Sequence, residues 1–143
     1  MKFADDIVNT ITRIILPFIM LFGFYLIFQV HLSPGGGFSG GTVIGSGFVL
    51  FSLSYGISVQ EKKISHRTSA LLESYGGLLY IFLGLIGILF GYNFLTNNPI
   101  FPLGKPGKLF SSGLILIINI GLGIKVASTI ITLFDSLGGE DLE

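Results

Sequence analysis

The chain has 143 residues, of which half are hydrophobic and only 11% carry a charge, and its mean hydropathy is +0.82. Since a soluble domain usually carries about 25% charged residues, the sequence lacks the polar surface that water requires. The zero net charge gives no reason to expect nucleic acid as a partner, and the absence of cysteine excludes disulfides and cysteine-based metal sites.

Four apolar segments are long enough to cross a hydrocarbon core about 30 Å thick, which takes roughly 20 helical residues. In chain order they cover residues 14–30, 40–58, 70–94 and 109–134. The second segment is rich in glycine, serine and threonine. We therefore predict an all-α integral membrane protein with four transmembrane helices, a glycine-rich loop between the first two, and a single membrane domain over the whole chain.

The segment before the first span, "MKFADDIVNTITR", is mostly polar. We do not expect a cleaved signal peptide, because the apolar run that follows is too long and no small-residue cleavage site comes after it. Phe3, Ile7, Ile11 and Ile14 recur at helical spacing. We expect this segment to lie along the membrane surface before the chain turns into the bilayer.

Basic residues in the short connections predict the orientation of the chain, because such residues favour the cytoplasmic side. The side that receives both termini and the loop after the second span is the more basic one. It holds Lys2, Arg13, Lys62, Lys63 and Arg67, against Lys105 and Lys108 on the other side. The bias predicts that both termini are cytoplasmic and that the glycine-rich loop faces outward.

That loop, "HLSPGGGFSGG", formally matches the G-x-G-x-x-G fingerprint of dinucleotide-binding proteins. The fingerprint has meaning only after a strand and before a helix, in a unit with a parallel sheet. Here it lies between two membrane spans and lacks the lysine and hydroxyl of a P-loop. We do not expect it to bind a nucleotide.

The same loop has clear consequences for helix geometry. Pro34 fixes its own backbone angle and has no N–H, so it ends or kinks the first helix. Gly37, Gly41 and Gly45 repeat every fourth residue, a spacing that lets membrane helices approach closely. Phe38 is a bulky candidate to wedge against a neighbour. Two interpretations stay open: a tight turn with a packing face, or unwound carbonyl groups that line an ion path.

Two charged residues fall within the spans, where ionisable groups are candidates for function. Glu73 is near the start of the third span, and Lys125 lies roughly 10 Å inside the end of the fourth, at about 1.5 Å per residue. One hypothesis is a Glu73–Lys125 pair that faces the bundle interior or a neighbouring subunit. The alternative is that both side chains reach the headgroups, Lys125 by means of its long stem.

Other polar residues suggest structural roles. We expect His31 to cap the outer end of the first span, and Asn119 to hydrogen-bond across helices rather than to bind sodium. The tail "DSLGGEDLE" is interpreted as a solvated acidic end. We find no paired carboxylates, no nucleophile with a matching base, and no ligand set for a metal or cofactor, so we expect neither an enzyme nor a cofactor.

The helix that ends in "HLSPGGGFSGG", followed by a small-residue helix that closes with "SYG", resembles the B subunit of the multisubunit Na+/H+ antiporter called Mrp or Mnh. Related domains occur in membrane-bound hydrogenases and other relatives of complex I. The resemblance covers nearly the whole chain. It implies a subunit of a large, proton-coupled sodium exporter that supports pH homeostasis, with proton pumping mainly in the larger A and D subunits. It also implies that Pro34 and Phe38 are the best candidates for functional positions.

Three functional hypotheses remain at this point. The first is a non-catalytic antiporter subunit that is needed for assembly and whose glycine loop, around Gly37, is a candidate to line the cation path. The second is an autonomous four-helix transporter or channel that works as a homo-oligomer. Small multidrug exporters of that kind rely on a carboxylate deep in the first helix, which this chain lacks. The third is a scaffold that touches no ion.

Overall fold

The computed structural model describes residues 2–29, 35–96 and 113–139. In these ranges the chain forms five helices, namely α1 (Lys2–Phe28), α2 (Gly37–Tyr55), α3 (Ile57–Lys63), α4 (His66–Leu89) and α5 (Leu114–Gly139). All except the short α3 are long and apolar enough to cross a membrane. The prediction of an all-α membrane protein with four spans is confirmed.

The first helix differs from the expectation for the polar leader. Helix α1 runs without a break through Pro17 to Phe28, so the prediction that the chain turns after a separate surface segment is wrong. Polar groups of the leader instead bind the end of α2. The hydroxyls of Thr12 and Ser54 share a hydrogen bond of 2.6 Å, and Tyr55 donates one of 3.1 Å to the carbonyl oxygen of Asn9.

The second span ends earlier than predicted, at Tyr55, because the backbone breaks at Gly56. This glycine has φ of 90° and ψ of 149°, a region that residues with a side chain rarely adopt. A Cβ at Gly56 would have no atom within 4 Å. The backbone angle, rather than lack of space, therefore makes glycine suitable at this position and separates α2 from α3.

The third and fourth spans are also displaced from their predicted limits. Helix α4 starts four residues early, at His66, because the Ser65 hydroxyl caps it by accepting the Thr68 N–H at 3.3 Å. After Leu89 the chain folds back, so that the Phe94 ring contacts Gly84. Helix α5 continues to Gly139, beyond the predicted end at residue 134.

The four long helices pack in a row in the order α1, α2, α5, α4, with α1 and α4 on the outside. The start of α1, the end of α2, helix α3, the start of α4 and the end of α5 lie together at what we call the terminal end. The opposite end, with Gly37 and the start of α5, is the glycine end. Between the outer helices lies a cavity of about 250 Å³ whose lining is largely apolar and includes Phe24, Phe48, Leu72 and Ile131.

Candidate functional site

At the glycine end, α2 begins beside α5 and receives its cap from that helix. The N–H of Gly37 donates to Asn119 Oδ1 at 2.7 Å, and Asn119 Nδ2 donates to the carbonyl of Ile115 at 2.8 Å. The first N–H groups of a helix have no partner within it, and Gly36, the residue before α2, has no side chain to supply one. The hydrogen bond that Asn119 was expected to make across helices is confirmed.

The glycines of α2 bring the backbones of α2 and α5 together. A Cβ at Gly41 would lie 2.6 Å from the carbonyl oxygen of Gly123, and one at Gly45 would lie 2.9 Å from Cβ of Ile130. At Gly37 an added Cβ would contact the backbone of Asn119. These three positions leave no room for a side chain, and the resulting proximity is what allows Asn119 to reach the start of α2.

Phe38 was predicted in the loop but lies in α2, which begins at Gly37, three residues before the predicted span, and it points away from this interface. Its side chain is 67% exposed, so within the described residues it does not wedge between helices. A large aromatic ring at this place faces either lipid or another protein. Pro34 and His31 lie outside the described residues.

The membrane-embedded charges Glu73 and Lys125 lie near the contact between α4 and α5. Lys125 lies farther from the end of its helix than predicted, about 20 Å at 1.5 Å per residue, because α5 extends to Gly139. Its stem packs on Gly76, and a Cβ at Gly77 would lie 3.4 Å from its Nζ. Glu73 lies one turn from Gly77, nearer the terminal end. In the described ranges the two charged groups form no ion pair.

At the terminal end three side chains from different helices form a hydrogen-bonded group that we call the polar cluster: Ser52 of α2, Gln60 of α3 and Asp135 of α5. Ser52 donates to Gln60 Oε1 at 2.7 Å, and Gln60 Nε2 donates to Asp135 Oδ2 at 3.3 Å. Gln60 is fully buried, and Ser52 and Asp135 are 3% and 6% exposed. The cluster ties α3 to the two central helices.

The burial of Asp135 contradicts the interpretation of "DSLGGEDLE" as a solvated tail, at least for its first residue. The expectation was wrong because α5 does not stop at residue 134. The signal was present in the sequence: Ala127, Ile131 and Asp135 recur every fourth residue, and all three are buried.

In the described chain, no group of three or more histidine, cysteine, aspartate or glutamate residues is placed to hold a metal ion.

Residues 7–132 match a family described as a domain related to the MnhB subunit of the Na+/H+ antiporter. The chain belongs to the MnhB family. Similar proteins include the antiporter subunit mnhB2 of Staphylococcus aureus (strain Newman), 31% identical over 97% of this chain and 98% of that protein. An uncharacterized protein of Methanocaldococcus jannaschii is 35% identical over 71% of this chain and 40% of its own length.

A solved structure shares the MnhB fold. The chain resembles part of the membrane-bound sulfane sulfur reductase, an archaeal respiratory membrane complex, with a TM-score of 0.76 and 35% sequence identity. The match covers 92% of this chain and 56% of that one. This MnhB chain thus spans two fifths of the archaeal relative and just over half of the reductase subunit, whereas the staphylococcal protein matches it nearly end to end. The family resemblance drawn from the glycine-rich loop is confirmed.

Proposed function

We propose that this MnhB chain is a non-catalytic membrane subunit of a multisubunit cation/proton antiporter that exchanges Na+ for H+. The complex would lie in the cell membrane of a bacterium or archaeon, with both termini of this chain in the cytoplasm. The family match supports this assignment, as does the staphylococcal antiporter subunit. The similar chain from an archaeal respiratory membrane complex also belongs to a larger assembly.

The observation that carries the proposal is the open row of helices. Only 17% of the span in α1 and 22% of the span in α4 is buried within the chain. Large side chains such as Leu21 and Phe82, 71% and 64% exposed, face outward from these two helices. The outer surfaces of α1 and α4 are therefore apolar and uncovered by this chain, and helices of neighbouring subunits can cover them.

The distribution of ionisable groups argues against a transporter that works alone. Proton relays in membranes need chains of such groups at depth. Within the described spans, Glu73, Lys125 and Asp135 lie in the middle of their helices or toward the terminal end, and Asn119, which caps α2 at the glycine end, is neutral. In the described spans these groups do not form a complete path across the membrane, and we propose that residues of other subunits contribute to it.

Phe38 is the residue through which we propose that the glycine end meets a neighbouring subunit. An exposed aromatic ring beside the close contact between α2 and α5 is suited to hold the neighbour in position. The start of α2 at Gly37, together with the loop that contains Pro34, would then border the cation path. Gly41 and Gly45 would act only by packing.

The Glu73–Lys125 pair remains a proposal. Lys125 lies near the middle of α5, and its stem packs against α4 at Gly76, which supports a role beside α4. We propose that a water molecule links its ammonium group to Glu73, or that a carboxylate of the adjoining subunit provides the counter-charge.

The deciding experiment is recovery of the tagged chain from membranes in mild detergent, followed by the mass and composition of the particle. We expect a large assembly with several other hydrophobic subunits. Na+/H+ exchange is then measured in vesicles with Phe38→Ala and, as a matched control on the same helix, Leu53→Ala, since Leu53 is 69% exposed at the opposite end. Only Phe38→Ala should slow exchange.

A small, homogeneous oligomer of this chain alone, active after reconstitution, would overturn the proposal in favour of the autonomous transporter. If Phe38→Ala assembles normally and leaves exchange unchanged, a role for Phe38 in transport is rejected. If every variant at the glycine end assembles normally and leaves exchange unchanged, the third hypothesis, a scaffold that touches no ion, is favoured.

A further inference from the structure

The proposed function gives no part to the carboxyl group of Asp135, although this group is the most unusual one in the fold. The residue is 6% exposed. Its Oδ2 accepts the single hydrogen bond from Gln60, and its Oδ1 is shielded from solvent without any partner. Buried polar atoms in native proteins are normally paired, so an unpaired carboxyl oxygen requires a specific explanation.

The charges that act on Asp135 oppose each other: Glu61 of α3 disfavours a negative carboxylate, and His66 at the start of α4 favours it. Helix α2 carries no charged residue and contributes Ser52 through Gln60. In the described ranges no basic side chain forms an ion pair with Asp135. A buried carboxylate without a counter-charge is costly, and a proton or a bound cation relieves that cost.

Two hydroxyl groups near this end of the bundle also have no partner. Thr132 Oγ1 belongs to the residue one turn before Asp135 on α5, and Ser69 Oγ belongs to a fully buried residue of α4. Ser69 and Ser128 line the terminal end of the 250 Å³ cavity. Unpaired buried hydroxyls are typical positions for ordered water. Thr132 is the nearer of the two to Asp135 along the chain, and Ser69 borders the cavity.

We propose that Asp135 is a proton-binding site. Oδ1 takes a proton from a hydrated proton and leaves water, and on release the proton returns to water. Thr132 and Ser69 hold that water, while Gln60 keeps the carboxyl group in place through Oδ2. A proton fits better than a cation, because a sodium ion would need several converging oxygen ligands whereas the polar cluster supplies a single hydrogen bond to this carboxyl group. The proposal that Asp135 binds a proton does not rest on the proposed function. A role of Asp135 in antiport would rest on it.

Infrared difference spectroscopy tests the proposal on the full chain, purified with the subunits that accompany it. Spectra are recorded as the pH is changed, and the C=O stretching band of a protonated carboxyl group is followed. We expect one such band to titrate in the native protein and to be lost in Asp135→Asn. The control is Asp6→Asn, on an exposed residue of α1, which should retain the band.

A second variant is needed in case Asp135→Asn loses the band only because the protein fails to fold. Gln60→Leu keeps the carboxyl group but removes its hydrogen bond, so the band should remain and move to higher frequency. The proposal is overturned if the spectrum of Asp135→Asn equals that of the native protein, or if the band in Gln60→Leu does not move. It is also overturned if carboxylate bands of Asp135 respond to added Na+ while no protonated band titrates.

A role of Asp135 in transport is measured separately from proton binding. A negative result for this role is therefore distinguishable from a negative result for the proposed antiporter function. In the assembled complex, Asp135→Asn should flatten the dependence of Na+/H+ exchange on pH, while Asp135→Glu should restore it. A native pH profile in Asp135→Asn, in a complex of native composition, would exclude Asp135 from transport. The antiporter assignment would stand in that case.

Discussion

At the scale of single residues, Asn119 shows how a membrane protein can cap a helix from outside that helix. Water is scarce within the bilayer, so an N–H group at a helix start needs a protein partner. The α2 segment supplies no such side chain, because Gly35 and Gly36 precede it. The amide of Asn119, fixed by its own bond to Ile115, supplies the acceptor instead.

We expect Asn119→Ala to lower the free energy of unfolding by about 1 kcal/mol, the size of hydrogen bonds between membrane helices. The control is Ser46→Ala, which removes an exposed hydroxyl bonded only to the Thr42 carbonyl of its own helix. The measurement is thermal unfolding in detergent. Equal transition temperatures for the two variants would mean that Asn119 does not hold α2.

A second prediction at this scale concerns Lys125. We expect Lys125→Met to slow Na+/H+ exchange roughly tenfold, which corresponds to about 1.4 kcal/mol in the barrier, because the methionine keeps the stem but removes the charge from the middle of α5. Lys62→Met, on an exposed residue of α3, is the control. Exchange and complex composition are measured together, and native values of both would remove Lys125 from the mechanism.

At the scale of elements, the row of helices depends on how closely α5 approaches its two neighbours. Glycines of α2 meet α5 on one side, and Gly76 of α4 meets it on the other. A Cβ at Gly76 would lie 2.7 Å from the carbonyl oxygen of Gly121 and 2.8 Å from Cβ of Lys125. Without a hydrophobic driving force between helices in lipid, such close packing supplies much of the association energy.

The adjacent glycines of α4 provide a matched test. We expect Gly76→Ala to destabilise the fold by about 1–3 kcal/mol, the usual cost of overpacking. Gly77→Ala should change stability by less than about 0.5 kcal/mol, because its Cβ would approach only Lys125 Nζ, at 3.4 Å. Thermal unfolding distinguishes the two variants. A larger loss of stability in Gly77→Ala than in Gly76→Ala would contradict this packing of α4 on α5.

At the scale of the whole molecule, the start of α1 and the end of α5 lie at the same end of the helix row, the terminal end. Hydrogen bonds connect α1 with the end of α2 and connect α3 with the end of α5. An even number of spans agrees with this arrangement. Lys62 and Lys63 at the end of α3 and Arg67 in the first turn of α4 are basic, and they predict that this side is the cytoplasm.

Because the chain contains no cysteine, a single introduced cysteine can report the side of the membrane. We expect an impermeant maleimide to label Asn93→Cys in intact cells, and to label Lys62→Cys and Ser136→Cys only after permeabilisation. All three positions are exposed in the fold. The reverse pattern would contradict the cytoplasmic assignment, and different sides for Lys62→Cys and Ser136→Cys would contradict the fold.

Composition and hydropathy alone were sufficient to predict a membrane protein with four helices, because a run of about 20 apolar residues is typical of a transmembrane helix. The motif "HLSPGGGFSGG" was sufficient for the family. Helix limits were less accurate. Hydropathy does not detect the backbone break at Gly56, and it does not show that the polar leader and the residues after 134 continue their helices.

Which helices touch, and what lies between them, was decided only by the tertiary structure. The sequence placed Asp135 in a polar tail, whereas packing of α3 and α5 buries it against Gln60. The sequence also set Lys125 near the end of its span, whereas the full length of α5 sets it near the middle. The physical reason is the same in both cases: local composition determines that a segment enters the membrane, but the depth and partners of each polar side chain depend on neighbouring helices distant in sequence.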